Sequence, residues 1–149
     1  YQMLGNYIDN TQGQEGSPSM VEGLKILDVD TILTTQKTLT RVSAKHVISD
    51  INFEGYEIHI GKTKGNDCDK PFATVNKKNE GAVSKNGSVM GSYLHGMFEN
   101  DEFRSNFLNQ IGFESSDLNY SKNVDQSLND FADFLEENIN VSEIFDKAY

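Results

Sequence analysis

From Leu24 to Tyr93, apolar and polar residues alternate in short runs closed by glycines or by Asn- and Lys-rich stretches, and only beyond Phe98 does the apolar spacing lengthen to that of a helix. Successive strand residues point to opposite faces, whereas a helix returns to one face every 3.6 residues, so this change of period calls for a sheet followed by helices. Residues 24–33 carry Leu24, Ile26, Leu27, Val29, Ile32 and Leu33, and residues 38–48 set Leu39, Val42 and Val47 among polar neighbours. Both read as strands, the second half exposed, and 55–61, 72–75 and 88–93 as shorter ones. A helical stripe of Phe98, Phe103, Phe107, Leu108 and Ile111 stops before Gly112. A last helix over about 124–138 sets Val124, Leu128, Phe131 and Leu135 against an acidic face, read as solvated surface.

At the other end Met3, Leu4, Tyr7 and Ile8 stand at helical spacing with no Ser, Thr, Asp or Asn ahead of them, which predicts an opening helix without its cap. The chain also begins with Tyr1 rather than methionine, so it is expected to be a piece of a longer protein. Residues 9–18, with Asn10, Gly13, Gly16, Ser17 and Pro18, read as one connection, and 62–70 and 76–87 as exposed loops that could border a site. At 149 residues, 1–149 is expected to form part of a single α/β domain.

Composition removes several classes of function. Thirteen basic against 23 acidic side chains leave a net charge of −10, which argues against a nucleic-acid partner. No apolar run approaches the roughly 20 residues of a membrane helix. Cys68 is the only cysteine, so neither an intrachain disulfide nor a cysteine-rich zinc site can form, and a cytoplasmic setting is the expectation. No phosphate loop, Gly-x-Gly-x-x-Gly or His-Glu-x-x-His pattern is present, so neither a nucleotide nor a metal site is expected in this segment.

Three histidines remain as candidates for chemistry. His46 has no functional neighbour in sequence and reads as structural or surface. His59 lies two residues after Glu57 on a strand, so both side chains share a face; such a pair either orients a catalytic group or is a buried hydrogen-bonded pair holding a loop. His95 ends a strand, is followed by Gly96, and precedes a helix, the position where catalytic side chains of α/β sheets collect. Its ordinary pKa of about 6.5 suits proton transfer near neutral pH. Cys68, flanked by Asp67 and Asp69, reads as an incidental loop residue with a suppressed thiolate.

Four segments add a resemblance: Tyr1-Gln2-Met3-Leu4-Gly5, Gly13-Gln14-Glu15-Gly16, Gly55-Tyr56-Glu57-Ile58-His59-Ile60-Gly61 with Thr63, and Gly91-Ser92-Tyr93-Leu94-His95-Gly96-Met97-Phe98-Glu99-Asn100. In this order and spacing they resemble the C-terminal glutamine amidotransferase domain of cobyric acid synthases, in the CobB/CobQ-like class I glutamine amidotransferase family. The resemblance runs from Tyr1 to about Leu108 and more loosely into the last helix. It implies a flavodoxin- or Rossmann-like three-layer α/β fold with a cysteine nucleophile in a Gly-x-Cys-Gly-Gly-Tyr-Gln turn. Tyr1 and Gln2 match the last two residues of that turn. The cysteine and the strands before it would then lie upstream of Tyr1, leaving an unpaired sheet edge that invites dimerisation or rearrangement of the isolated segment.

By the same resemblance His95 matches the catalytic histidine, and Gln2 falls near the bound glutamine. The residue two after the histidine, glutamate in many class I glutaminases, is Met97 here, so Glu57, His59 and Glu99 are carried as possible orienting groups. The implied reaction is attack of the cysteine on the glutamine carboxamide, release of ammonia and hydrolysis of the thioester. The ammonia would serve an N-terminal ATP- and magnesium-dependent synthetase domain that amidates corrin-ring carboxylates in cobalamin biosynthesis, with no cofactor in this segment. Alone, the segment is expected to be inactive. Cobyrinic acid a,c-diamide synthase and the glutaminase subunit of lipid II isoglutaminyl synthase are the sibling families; Glu57-Ile58-His59 and Met97-Phe98-Glu99-Asn100 favour the corrinoid enzyme. A degenerate, non-catalytic module of the same fold is the alternative.

Overall fold

The computed structural model describes residues 1–115 and 118–148. Its strands are β1 (Tyr7–Asn10), β2 (Ser19–Glu22), β3 (Asp30–His46), β4 (Asn52–Lys64), β5 (Ala73–Val75), β6 (Lys78–Glu80), β7 (Ala82–Val83), β8 (Met90–Gly91) and β9 (Leu94–His95). Its helices are α1 (Asp101–Gln110), α2 (Tyr120–Asn138) and α3 (Val141–Ala148). The main sheet runs β2-β1-β3-β4-β9, with the β5–β6 hairpin joined to the far end of β3; β7 and β8 pair separately. β1 and β3 are parallel and the other pairs antiparallel, so the sheet is mixed.

β3 and β4 form the spine. Buried Thr31 and Leu33 lie near one end of β3, and Val42, Ala44 and His46 near the other, while its middle is mostly exposed on both faces. Of the strand read at residues 24–33 only 30–33 belong to β3, the apolar run from Leu24 to Val29 lying outside the sheet, and the strand read at 38–48 supplies the other end of β3 as far as His46. A bulge interrupts the ladder to β4: Ile32 opposes Lys62, but Lys37 already opposes Ile60.

The opening α-helix is not formed. Gln2–Leu4 make a single 3-10 turn, Gly5 is extended (φ −77°, ψ −170°), and Tyr7 and Ile8 enter β1 between β2 and β3. A side chain at Gly5 would collide with the Val29 carbonyl, and the Asn6 N–H donates to that carbonyl at 2.7 Å, so the strand pairing displaces the helix. Of the predicted connection at residues 9–18, Asp9 and Asn10 belong to β1, and 11–18 join β1 to β2.

The principal core joins Val42, Ala44, Phe53, Phe72, Leu94 and Phe103; the Phe103 ring lies 4.7 Å from that of Phe53 and 5.3 Å from that of His46. Leu27, Val29 and Ala82 form a second cluster under Tyr1 and Leu4. α1 starts after Asn100, whose side-chain oxygen accepts from the Phe103 N–H at 2.8 Å, a cap that the apolar stripe alone did not mark. α2 matches the predicted last helix with an earlier start, and α3 was not anticipated. Leu128, Phe131 and Phe134 of α2 and Ile144 and Phe145 of α3 are exposed. No described helix is long and apolar enough to cross a membrane.

Candidate functional site

β9 is two residues long, and its second residue is His95, which pairs opposite Tyr56 of β4. A Cβ at Gly55 would lie 2.7 Å from the His95 carbonyl oxygen, so glycine allows the two strands to approach. Gly96 follows in the left-handed conformation (φ 78°, ψ 0°) and turns the chain into the Met97–Glu99 3-10 turn ahead of α1. This delivers an exposed imidazole at a strand end, and among the described residues its ring makes no hydrogen bond.

His95 lines a cleft of about 610 Å³ together with Gln2, His59, Tyr93, Gln14 and Lys37. The Gln2 carboxamide donates to the Ile60 carbonyl at 3.4 Å. The loop carrying Gln14 and Glu15 is organised by buried Asn10, whose oxygen accepts from the Gln14 and Glu15 N–H groups at 2.7 and 3.1 Å. Asn10 was read only as turn chemistry; at the end of β1 its side chain ties the loop backbone down and so holds Gln14 and Glu15 at the cleft.

His59 is held on three sides. Its Nε2 meets Glu57 Oε1 at 2.9 Å, its Nδ1 meets the Gly61 carbonyl at 2.9 Å, and its ring stacks on Tyr93 with centroids 4.4 Å apart. The shared strand face expected for Glu57 and His59 is therefore present as a hydrogen-bonded pair. The Tyr93 hydroxyl joins Thr63 at 2.5 Å, Thr63 joins Thr31 at 2.7 Å, and the Tyr1 ring lies 4.8 Å from that of Tyr93. Tyr1, His59 and Tyr93 make an aromatic wall shared with an adjoining cleft of about 520 Å³, which Glu57, Cys68 and Glu80 line.

Glu57 bonds His59 and not His95, and Glu99 lines neither cleft, its carboxylate lying back against Gly96. Cys68 sits in a 3-10 turn with its sulfur 3.7 Å from the Tyr1 hydroxyl, in the adjoining cleft rather than beside His95. Burial first, and then Asp67 and Asp69, push its thiol pKa up against the opposing hydrogen bond from Tyr1. The flanking aspartates anticipated in the sequence are thus the lesser part of the effect. Tyr1's own hydroxyl is raised far above its ordinary range, chiefly by burial.

His46 is a core residue, 2% exposed, packed against Phe72 and Phe103 with Nδ1 2.8 Å from Ser49 Oγ. Its pKa is lowered by burial, which suits a neutral structural ring. Among the described residues no cluster of three or more His, Cys, Asp or Glu side chains could hold a metal ion.

Glu80 and Tyr93 were given no role from the sequence. Glu80 stood in an apparently exposed loop, yet Asn76 and Lys77 both take positive φ (50° and 65°) and close a two-residue turn between β5 and β6 that folds it inward. The Asn-Lys pair was the available signal, since asparagine tolerates that conformation.

The mixed sheet and its helices form the α/β fold of a class I glutamine amidotransferase domain. The profile of the CobB/CobQ-like glutamine amidotransferase domain matches residues 1–103, and the chain belongs to that family. Over 142 residues, 95% of this chain, it is 50% identical to a cobyric acid synthase of Cereibacter sphaeroides. It is 46% identical over 144 residues to the cobyric acid synthase of Rhodobacter capsulatus and 42% identical over 149 residues to that of Allorhizobium ampelinum. The chain spans about 30% of the length of each of these relatives.

Proposed function

We propose that the chain is the glutaminase portion of a cobyric acid synthase, releasing ammonia from glutamine for the ATP-dependent amidation of corrin-ring carboxylates. The observation that carries this reading is His95, an exposed imidazole at a strand end that makes no hydrogen bond among the described residues, lining one cleft with Gln2. In this scheme a cysteine three residues ahead of Tyr1 attacks the carboxamide carbon of glutamine. His95 takes the thiol proton and gives it to the departing ammonia, then takes a proton from the water that attacks the glutamyl thioester and returns it to the cysteine sulfur as glutamate leaves. Gln2 contacts the substrate. ATP and magnesium belong to a separate synthetase domain and enter no step here, and 1–149 forms the C-terminal part of one glutaminase domain.

Cys68 is excluded as the nucleophile in this reading by its place behind Tyr1 and its suppressed thiolate. The test is glutamate release from glutamine, measured with the full-length protein that contains this chain and with the chain alone. Hydrolysis by the former and none by the latter is the expected result. Turnover by the isolated chain would overturn the upstream nucleophile, and a full-length protein that amidates with ammonia but never with glutamine would overturn the glutaminase reading.

A further inference from the structure

Glu80 is 8% exposed, and no cation pairs with it among the described residues. Its Oε1 accepts from the Tyr93 N–H at 2.7 Å and its Oε2 from the Ser92 hydroxyl at 2.8 Å; that hydroxyl in turn accepts from the Leu94 N–H at 3.0 Å. Three successive residues immediately before His95 are therefore tied to a single carboxylate. The next position reinforces the contact: at Gly81 (φ +72°) a Cβ would lie 2.5 Å from the Gly91 carbonyl oxygen and 2.8 Å from Phe72 Cβ. β6 thus ends directly against the 91–92 segment, with no room for a side chain between them.

A buried carboxylate without a cation is unfavourable unless its oxygens are satisfied, and here both are, by donors of that one segment. Burial raises the Glu80 pKa, and the bonds from Tyr93 and Ser92 oppose the rise. What the carboxylate holds reaches the cleft on two routes. Leu94 leads covalently to His95, and the Tyr93 ring packs against His59 and Tyr1 to form the wall beside Gln2. An apolar residue at position 80 would fill the space and leave two N–H or O–H donors unmatched.

We infer that Glu80 is a positioning residue for glutamine hydrolysis, fixing the Ser92–Leu94 segment so that His95 and the Tyr93 wall face the cleft in one arrangement. This rests on the glutaminase reading above. The experiment uses the full-length protein and compares glutamine-dependent with ammonia-dependent amidation, together with kcat and KM for glutamine, in the wild type, Glu80→Ala and Glu80→Gln. Glu80→Ala is expected to lower kcat for glutamine by about 10- to 100-fold, the order that a displaced catalytic group costs, with KM within about threefold and ammonia-dependent amidation unchanged. Glu80→Gln is expected to recover most of the rate, because its carboxamide oxygen can accept from Tyr93 and its N–H can donate to the Ser92 hydroxyl.

Wild-type kcat in Glu80→Ala would overturn the inference while leaving the glutaminase reading intact. Equal impairment of Glu80→Gln and Glu80→Ala would overturn it too, since a positional role is satisfied by the isosteric amide. So would a parallel loss of ammonia-dependent activity, which marks a general folding defect. A wild type that uses ammonia and not glutamine would instead remove the reading on which the inference stands.

Discussion

His59 and His95 stand on neighbouring strands and line the same cleft, yet one imidazole is fastened on three sides and the other makes no hydrogen bond among the described residues. The ring of His59 has both nitrogens engaged by acceptor oxygens and one face covered by Tyr93, so it cannot turn without breaking an existing contact. His95 is carried to the strand end by backbone pairing alone, and its side chain remains free to meet a substrate. A proton-transfer group must exchange partners during a reaction, whereas a wall must keep its shape. On the glutaminase reading proposed above, this difference in fastening assigns proton transfer to His95 and support to His59.

The largest effect expected from this contrast is at His95. In the full-length protein, His95→Ala should lower glutamine hydrolysis by about 10²–10⁴-fold while ammonia-dependent amidation persists, as measured by steady-state assays with each nitrogen source. A smaller loss is expected from loosening His59. Glu57→Ala removes one hydrogen bond from the ring and should reduce kcat/KM for glutamine by about tenfold, the equivalent of about 1.4 kcal/mol. If Glu57→Ala proved as damaging as His95→Ala, the two histidines would have to exchange roles.

His46 supplies a third histidine environment, buried and neutral, and with it a pH dependence of stability rather than of activity. Its pKa lies below the ordinary 6.5 because burial disfavours the charged ring. The unfolded chain therefore binds the proton more readily, so the stability that His46 contributes is fully present above about pH 6.5 and is lost as the pH falls through and below that value. Thermal melts between about pH 8 and 5 should show the melting temperature falling on the acid side, and His46→Phe should flatten that part of the profile. The smallest effect belongs to Cys68. Cys68→Ser should leave glutamine hydrolysis within about twofold of wild type, because the thiol lines the other cleft and is held protonated.

Much of the sheet was legible because burial writes itself as alternation. Residues 55–61 lie within β4, and the stripe from Phe103 to Leu108 gives α1. What failed to show follows from the same rule. The middle of β3 has little buried face, so its two ends read as separate strands, and the apolar run from Leu24 to Val29 extended the first beyond the sheet; Met3, Leu4, Tyr7 and Ile8 matched a helical period by coincidence of spacing, and long-range pairing of β1 with β3 decided otherwise. α3 follows α2 after only Ile139 and Asn140, too brief a break to read as a separate element.

The site was legible to a similar degree. His95, Gln2 and the Glu57–His59 pair stand in short local patterns, and the structure brings Gln2, His59 and His95 to one cleft. Asn10 and Glu80 act through polar side chains that meet backbone groups folded onto them, and such contacts carry no periodic signature. α2 shows the converse: its periodicity marks the helix clearly, but Leu128, Phe131 and Phe134 remain exposed.

In the proposed function this chain contributes the histidine and the substrate wall of a glutaminase whose nucleophile precedes Tyr1. The decisive experiment treats the full-length protein with an electrophilic glutamine analogue and maps the adduct by peptide mass spectrometry. The predicted result is one adduct, on a cysteine three residues ahead of Tyr1, forming far more slowly in His95→Ala than in wild type; an adduct on Cys68, or wild-type labelling of His95→Ala, would contradict it.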